Sequence, residues 1–184
     1  MIFESTVLVR RWMEHPTHGV VQKLATVPRD KVVGQVITGQ WPVPTTPAIY
    51  ADVERPELAA QDLNYIAKSP ALVVYVDERV EDTGSNTGKV PYQPQRSFRA
   101  TIVYITQGEA ADVAIREGGF TLRAVKKCLN DFNSQSLSAG FRDYNKVKLV
   151  KIGPITTNIV SGAVGKSDLW GFLVATLHVI DEDP

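Results

Sequence analysis

The chain is poor in the features from which function is usually predicted. Among its 184 residues there is one cysteine, Cys128, so no intramolecular disulfide can form and a reducing compartment is indicated. Twenty basic residues balance twenty acidic ones, so no net basic field favours nucleic acid. No apolar run is long enough to span a bilayer, and the one at the N-terminus is too short for a signal peptide. We therefore expect a soluble protein, made in the cytoplasm, with no membrane contact.

What the chain does contain is ordinary for a globular domain. Hydrophobic residues make up 43% of the sequence and charged residues 22%, and the length is sufficient for one substantial core. We expect a single domain over residues 1–184. Residues 1–45 are expected to form an N-terminal helical segment and an extended connector, and residues 46–181 a sheet-and-helix core.

Hydrophobic periodicity predicts the order of the elements. We expect one or two helices within residues 2–25 and a helix over 120–132 that Gly118-Gly119 separates from a preceding helical stretch. The other predicted elements are a short strand at 32–38, a strand at 48–53, a helix at 56–68, and strands at 70–78, 97–106, 147–160 and 168–181. This order indicates an α+β fold, with a mainly antiparallel β-sheet flanked by helices and one long-armed β-hairpin.

The arm of that hairpin is the polar stretch from Glu81 to Arg96. It contains two glycines and two prolines, and loops of this length in compact domains are usually functional or disordered. We expect it to contact other protein, with interface residues Tyr92, Gln93, Gln95 and Arg96.

Two glycine-lysine stretches could be mistaken for phosphate-binding loops. Gly165-Lys166-Ser167 has Val160 where the first glycine of that motif belongs, and a strand rather than a helix is predicted to follow it. The stretch at 84–90 is one residue too short and has no hydroxyl after Lys89. We interpret the first as a turn and the second as part of a surface loop, and we expect neither a nucleotide nor any other cofactor.

The remaining side chains that could act in catalysis or bind a metal do not form a predicted site. His15 and His18 have a spacing that two metal ligands could use, but no cysteine or close acidic residue completes a set. His178 is interpreted as a hydrogen-bonded strand residue, Cys128 as a small buried hydrophobe, and the acidic clusters 77–82 and 181–184 as solvated charge. We expect no catalytic residue and no metal. The basic residues Arg142, Lys146, Lys148 and Lys151 leave an anionic partner surface open as an alternative.

The last predicted strand is apolar on both faces. Trp170 and Phe172 fall on one face, and Leu173, Ala175 and Leu177 fall on the other. Helices of this chain can cover only one of these faces, so the other is expected to contact a partner subunit, with Trp170 and Phe172 in the interface.

Four stretches together resemble the tail terminator (tail completion) proteins of long-tailed bacteriophages. They are "SPALVVYVDE" with the polar loop that follows it, "RATIVYI", the helix "LRAVKKCLNDF" and the final strand "WGFLVATLHVID". The likeness covers roughly residues 45–181 and rests on element order and hydrophobic pattern. The longer start, residues 1–45, departs from a minimal member of the family.

The resemblance implies a structural virion protein rather than an enzyme. Members of this family form hexameric rings at the head–tail junction. The ring caps the tail tube, ends its polymerisation and docks to the head connector or stopper, and DNA only passes through the channel. This implies a location in the tail or neck of a virion assembled in the host cytoplasm. Alternatives are another neck or tail-tube subunit, a bacterial adaptor of similar fold, or a small-molecule-binding or enzymatic α+β domain.

Overall fold

The structure, a computed structural model, contains helices and a mixed β-sheet, which is the predicted α+β class. It describes residues 2–27, 31–32, 35–36, 46–52, 70–82, 95–107, 111–136, 147–161 and 167–180. The helices are α1 (Ile2–Met13), α2 (Val20–Leu24), α3 (Ala111–Asn130) and α4 (Phe132–Gln135). The strands are β1 (Lys31–Val32), β2 (Gln35–Val36), β3 (Ala48–Asp52), β4 (Ala71–Asp82), β5 (Gln95–Gln107), β6 (Val147–Ser161) and β7 (Ser167–Ile180).

Five strands form the main sheet, in the order β3-β4-β5-β7-β6. β3 pairs parallel with β4, and the β4–β5, β5–β7 and β7–β6 pairs are antiparallel. The strand predicted at 32–38 is instead the separate two-residue pair β1 and β2. The predicted arm, 81–96, is too long at both ends, since residues 81–82 belong to β4 and 95–96 to β5. Residues 83–94 and the predicted helix at 56–68 lie outside the described residues, so both stay predictions.

The continuous apolar run at the start of β4 arises because both faces of the sheet are buried there. Leu72 and Val74 of β4 join the cluster on the helical side, together with Ile102 and Tyr104 of β5. The intervening residues form a second cluster, Val73, Tyr75, Val103 and Ile105, with Tyr50 of β3 packed against it. A strand that is covered on both faces shows no alternation of apolar and polar residues.

The first helices belong to the core rather than to a separate N-terminal segment. Seven residues between positions 8 and 27 lie in the helix-side cluster: Leu8, Val9, Trp12, Met13, Val20, Leu24 and Val27. The indole N–H of Trp12 donates to the Cys128 carbonyl at 2.9 Å, and Lys23 forms an ion pair with Asp131. The predicted division after residue 45 therefore does not describe where the core lies.

The α3 helix has the predicted stripe but not the predicted start. Leu122, Val125 and Leu129 are buried, while Arg123 and Lys127 are exposed. The prediction that Gly118-Gly119 separates two helices is wrong, because α3 is continuous from Ala111. A glycine inside a helix costs about 1 kcal/mol relative to alanine, an amount that burial of a long amphipathic face readily offsets.

The turn between α1 and α2 requires a glycine at position 19. The Gly19 N–H donates to the His15 carbonyl at 2.7 Å, which brings the two backbones close together. A Cβ atom at position 19 would lie 2.4 Å from the His15 oxygen and 2.5 Å from the Met13 oxygen. Any side chain there would therefore have to displace backbone.

Register shifts are concentrated on the β6 side of the sheet. β6 carries three extra residues relative to β7, one each in the intervals 149–151, 152–155 and 157–160. β7 carries one relative to β5, at Trp170. Such bulges increase the local right-handed twist of a strand and are most frequent at sheet edges.

Candidate interaction surface

The sequence-predicted interface residues occupy two distant places in the sheet. Gln95 and Arg96 begin β5, where they pair with Ile180 and Val179 of β7. Phe172 pairs with Val103, seven positions from Arg96, which corresponds to about 23 Å along a strand. Trp170 is the extra residue at the β7 register shift, while Tyr92 and Gln93 lie outside the described residues. Among the described residues, Gln95 and Arg96 therefore lie apart from Trp170 and Phe172.

The apolar face away from the helices is covered within the chain at the centre of the sheet. Val73, Val103 and Ile105 are fully buried, and Tyr75 is 3% exposed. Phe172 occupies the register position beside Val103, so it lies next to this covered region. At these positions of β4 and β5 the burial is complete within the chain. The expectation that Trp170 and Phe172 of β7 contact a partner subunit stays a prediction.

Beyond the centre, the sheet is reduced to four described strands. β3 ends at Asp52, which pairs with Tyr75, so no described strand lies outside residues 76–82 of β4. We call this part the distal half: residues 76–82 of β4, 95–99 of β5, 176–180 of β7 and 147–151 of β6. The remainder of the sheet, including β3, is the near half. Arg99, in the distal half, is exposed.

The ladder pairings arrange the distal half in rows that cross all four strands. Asp77, Arg99, Thr176 and Lys151 make up one row. Glu81, Ser97, His178 and Lys148 make up another. Residues paired directly across antiparallel strands are close enough for their charges to interact. The acidic cluster 77–82, interpreted from sequence as flanking a loop, is therefore part of strand β4.

The two outer strands of the distal half differ in charge. Residues 77–82 contain four acidic residues and one basic residue, Arg79. Residues 147–151 contain two lysines and no acidic residue. Of the two inner strands, β7 contains no acidic residue, lysine or arginine at 176–180, and β5 contains two arginines at 95–99. Within the described part of the chain, both outer strands are unpaired on their outer sides here. One edge is acidic and the other is basic.

The histidines at the end of α1 form an aromatic corner with Trp12. The ring of His18 stacks on Trp12 at a centroid distance of 5.5 Å, and the ring of His15 lies 5.0 Å from that of His18. His15 Nδ1 accepts hydrogen bonds from the backbone N–H groups of Thr17 and His18, each at 3.2 Å.

This hydrogen bonding assigns His15 a structural role. A neutral imidazole that accepts at Nδ1 carries its proton on Nε2, so Nε2 cannot bind a metal unless these bonds are lost. Within the segments that the structure describes, no group of three or more potential metal ligands occurs.

Cys128 lies in the core, as predicted, where the protein suppresses its reactivity. Burial raises the pKa of the Cys128 thiol to about 12, an effect that the nearby Lys23 opposes and Asp131 reinforces. The thiol donates weakly to the Trp12 carbonyl at 3.8 Å. Because only the thiolate is an effective nucleophile, this environment favours a packing role.

The strand predicted after Gly165-Lys166-Ser167 is confirmed. β7 begins at Ser167, so the helix that a phosphate-binding loop requires does not follow. Residues 162–166 and the second candidate loop, 84–90, lie outside the described residues. None of the described helices combines the length and apolar composition of a bilayer span.

The feature that sequence reasoning missed is the opposite charge of the two edges. The acidic cluster and the lysines were both visible, but only strand order and register place them on opposite sides of one sheet. No protein-family model matches the chain, and no curated protein matches it. Its function must therefore be inferred from its own residues.

Proposed function

We propose that the chain is a structural subunit of a bacteriophage tail, a terminator that forms a ring at the head–tail junction. In this role the ring, which the family likeness implies to have six subunits, caps the tail tube, ends its polymerisation and docks to the head connector or stopper. DNA is a transient occupant of the channel, and the protein performs no catalysis. Another neck or tail-tube subunit is the second candidate.

The observation that carries the proposal is the length of the strands relative to the core. β4, β5, β6 and β7 have 12, 13, 15 and 14 residues, whereas strands of five or six are most common. They continue past the end of β3 into a half sheet whose two outer strands have no further partner among the described strands. Open edges are templates for pairing with another chain, and a subunit of a ring has such a chain on each side.

The order of the elements also supports the proposal. The resemblance rests on a strand, a polar arm, a second strand, a helix and a final strand, and β4, β5, α3 and β7 have this order. In the proposed subunit the sheet is mainly antiparallel, and residues 83–94 form the arm of a hairpin between β4 and β5. Tyr92 and Gln93 in this arm contact the tube or a neighbouring subunit.

Electron microscopy tests the proposal directly. We expect negative-stain images of the concentrated protein, and of purified phage tail tubes mixed with it, to show rings alone or at tube ends. Sedimentation of the free protein should show a closed oligomer as its concentration rises. A compact monomer at every concentration, with no density added to tube ends, would refute the role.

A further inference from the structure

One face of the sheet is buried on the side away from the described helices. We call it the far face, and it carries the second cluster: Val73, Tyr75, Val103 and Ile105, with Tyr50 of β3 packed against them. The buried apolar residues of the described helices all belong to the other cluster, on the helical face. Because Val73, Val103 and Ile105 are fully buried, the far face has a covering layer of its own.

The chain has to cross one face of the sheet between β3 and β4. These neighbouring strands are parallel, so the end of β3 at Asp52 must be joined to the start of β4 at Ala71, which lies at the opposite end of the pair. Residues 53–70 make this connection. A connection between parallel strands needs a dozen residues or more and is usually an α-helix. The crossing therefore covers whichever face it takes.

Backbone hydrogen bonding defines the position of β4 relative to β3 as seen from the far face. The Ala48 N–H donates to the Pro70 carbonyl at 3.0 Å, so the backbone groups of Ala48 point toward β4. Those of Tyr50, two residues further on, point the same way, and its side chain lies on the far face. In an upward strand of L-residues, a side chain that faces the viewer has its N–H and C=O groups on the viewer's right. Seen from the far face, β4 therefore lies to the right of β3.

This arrangement makes a crossing over the far face right-handed and a crossing over the helical face left-handed. Connections between parallel strands of one sheet are right-handed in about 98% of cases, because a right-twisted strand followed by a right-handed helix packs back onto the sheet only that way. The helical face beside these two strands is also occupied, since α1 contacts both β3 and β4. Handedness and occupancy therefore select the same face.

We propose that residues 53–69 cross the far face and dock on the second cluster as an amphipathic helix. Apolar residues in this segment recur at i, i+4, i+7 and i+8, which is the spacing of one side of a helix. They are Ala59, Leu63, Ile66 and Ala67. The opposite side of the same helix is polar and consists of Glu57, Gln61, Asn64 and Lys68.

The segment is long enough for this crossing. A helix over residues 56–68 measures about 20 Å, and the rows of Asp52 and Ala48 are separated by roughly 13 Å along the strands. With this helix docked, the near half of the sheet is enclosed between two helical layers. The centre of the far face then needs no second copy to cover it, so the inference does not rest on the proposed ring.

Double-mutant cycles in urea titrations test which face the segment contacts. Leu63→Ala and Val73→Ala remove apolar atoms from the segment and from the far face. Because the two side chains share a contact, we expect the doubly changed chain to be more stable than the two single losses predict, by about threefold or more in the unfolding equilibrium constant. Two control cycles should be additive: Leu63→Ala with Leu72→Ala, which lies on the helical face, and Asn64→Ala with Val73→Ala.

Thiol accessibility provides a second test with single introduced cysteines. In a Cys128→Ala background the introduced thiol is the only one in the chain. Leu63→Cys should react with a thiol reagent about a hundredfold or more slower than Asn64→Cys, because only the first is buried against the sheet. Val73→Cys should be protected equally at every protein concentration, since its cover belongs to the same chain. Protection of Val73→Cys that disappears on dilution would identify a second copy as the cover.

The possible results either support the docked helix or overturn it. Coupling of Leu63→Ala to Val73→Ala, together with slow reaction of Leu63→Cys, supports it. Coupling to Leu72→Ala instead would place the segment on the helical face and make the crossing left-handed. Additivity with Val73→Ala, equal reaction rates at positions 63 and 64, or protection of Val73→Cys only at high concentration also overturns the proposal. Electron microscopy of tail tubes remains the separate test of the ring.

Discussion

The near half and the distal half of the sheet share four strands, yet they differ in burial and in charge. In the near half, residues 71–75 and 102–105 are buried, on the helical side by α1 and α3 and on the other side within the chain. In the distal half no described strand flanks β4 on its outer side, Arg99 is exposed, and the outer strands are acidic at β4 and basic at β6.

This difference suggests separate tests for stability and for the proposed assembly. Burial of apolar area dominates the free energy of folding, and most of the described burial lies in the near half. Charged residues on exposed strands contribute little to stability but strongly affect which partner binds. We therefore expect substitutions in the near half to change unfolding, and changes in the distal half to alter assembly.

The largest expected effect is that of Trp12→Ala. Trp12 is fully buried, its ring is edge-on to Phe132 at 5.5 Å, and its N–H donates to the Cys128 carbonyl. Removing a buried tryptophan leaves a cavity, so the free energy of unfolding should fall by about 3–5 kcal/mol in urea titrations. Arg99→Ala, the exposed counterpart in the distal half, should stay within about 0.5 kcal/mol. Equal losses of unfolding free energy for the two variants would contradict the expected difference between the halves.

Gly19→Ala should have the next largest effect. The added Cβ would meet two backbone oxygens, which cannot rotate away as a flexible side chain does. The turn must then shift α1 relative to α2, and we expect a loss of about 1–3 kcal/mol in the free energy of unfolding. Thr17→Ala in the same turn is the control, because Thr17 is exposed. A neutral Gly19→Ala result would mean that the turn is held less tightly than its geometry implies.

Alkaline pH should lower the free energy of unfolding, because the Cys128 thiol is buried in the core. Burial raises the pKa of this thiol from 9.0 to about 12, so between these values the unfolded chain releases a proton that the folded chain retains. The unfolded state then binds fewer protons, and stability falls as pH rises, by at most about 1.4 kcal/mol per pH unit. Below pH 9 this contribution is constant.

The variant Cys128→Ala separates the contribution of this thiol to the pH dependence of stability from the contributions of lysines and tyrosines. Urea titrations between pH 8 and 11 should show a steeper loss for the natural chain than for the variant. Parallel curves would mean that the thiol is not buried as described. In the folded protein at pH 8, a thiol reagent should modify Cys128 no faster than the core opens.

The predicted elements were most accurate where local pattern and tertiary packing agree. The amphipathic stripe of α3 and the apolar strands β4 and β5 could be located because buried apolar residues recur at a regular spacing in the sequence. The uninterrupted passage of α3 through Gly118-Gly119 could not, because tertiary packing overrides a local propensity of about 1 kcal/mol. The charge-separated edges were also beyond prediction, since strand order and register depend on pairings between residues far apart in sequence.

The smallest expected effect on stability, and the sharpest contrast between the halves, comes from shortening residues 83–94 to a tight turn. This arm joins β4 to β5 beyond the distal half, and its glycines, prolines and polar residues offer little apolar area for a core. Loop length affects the free energy of unfolding by only about 0.6 kcal/mol per doubling, so urea titrations should hardly change. Ring formation or attachment to tail tubes should nevertheless be lost, because the arm carries Tyr92 and Gln93, and an aromatic side chain contributes a large contact area at low entropic cost. The point variant Tyr92→Ser, at full arm length, should weaken attachment in the same direction. A shortened chain that still forms rings and still terminates tails would show that assembly depends on the strands of the distal half without the arm.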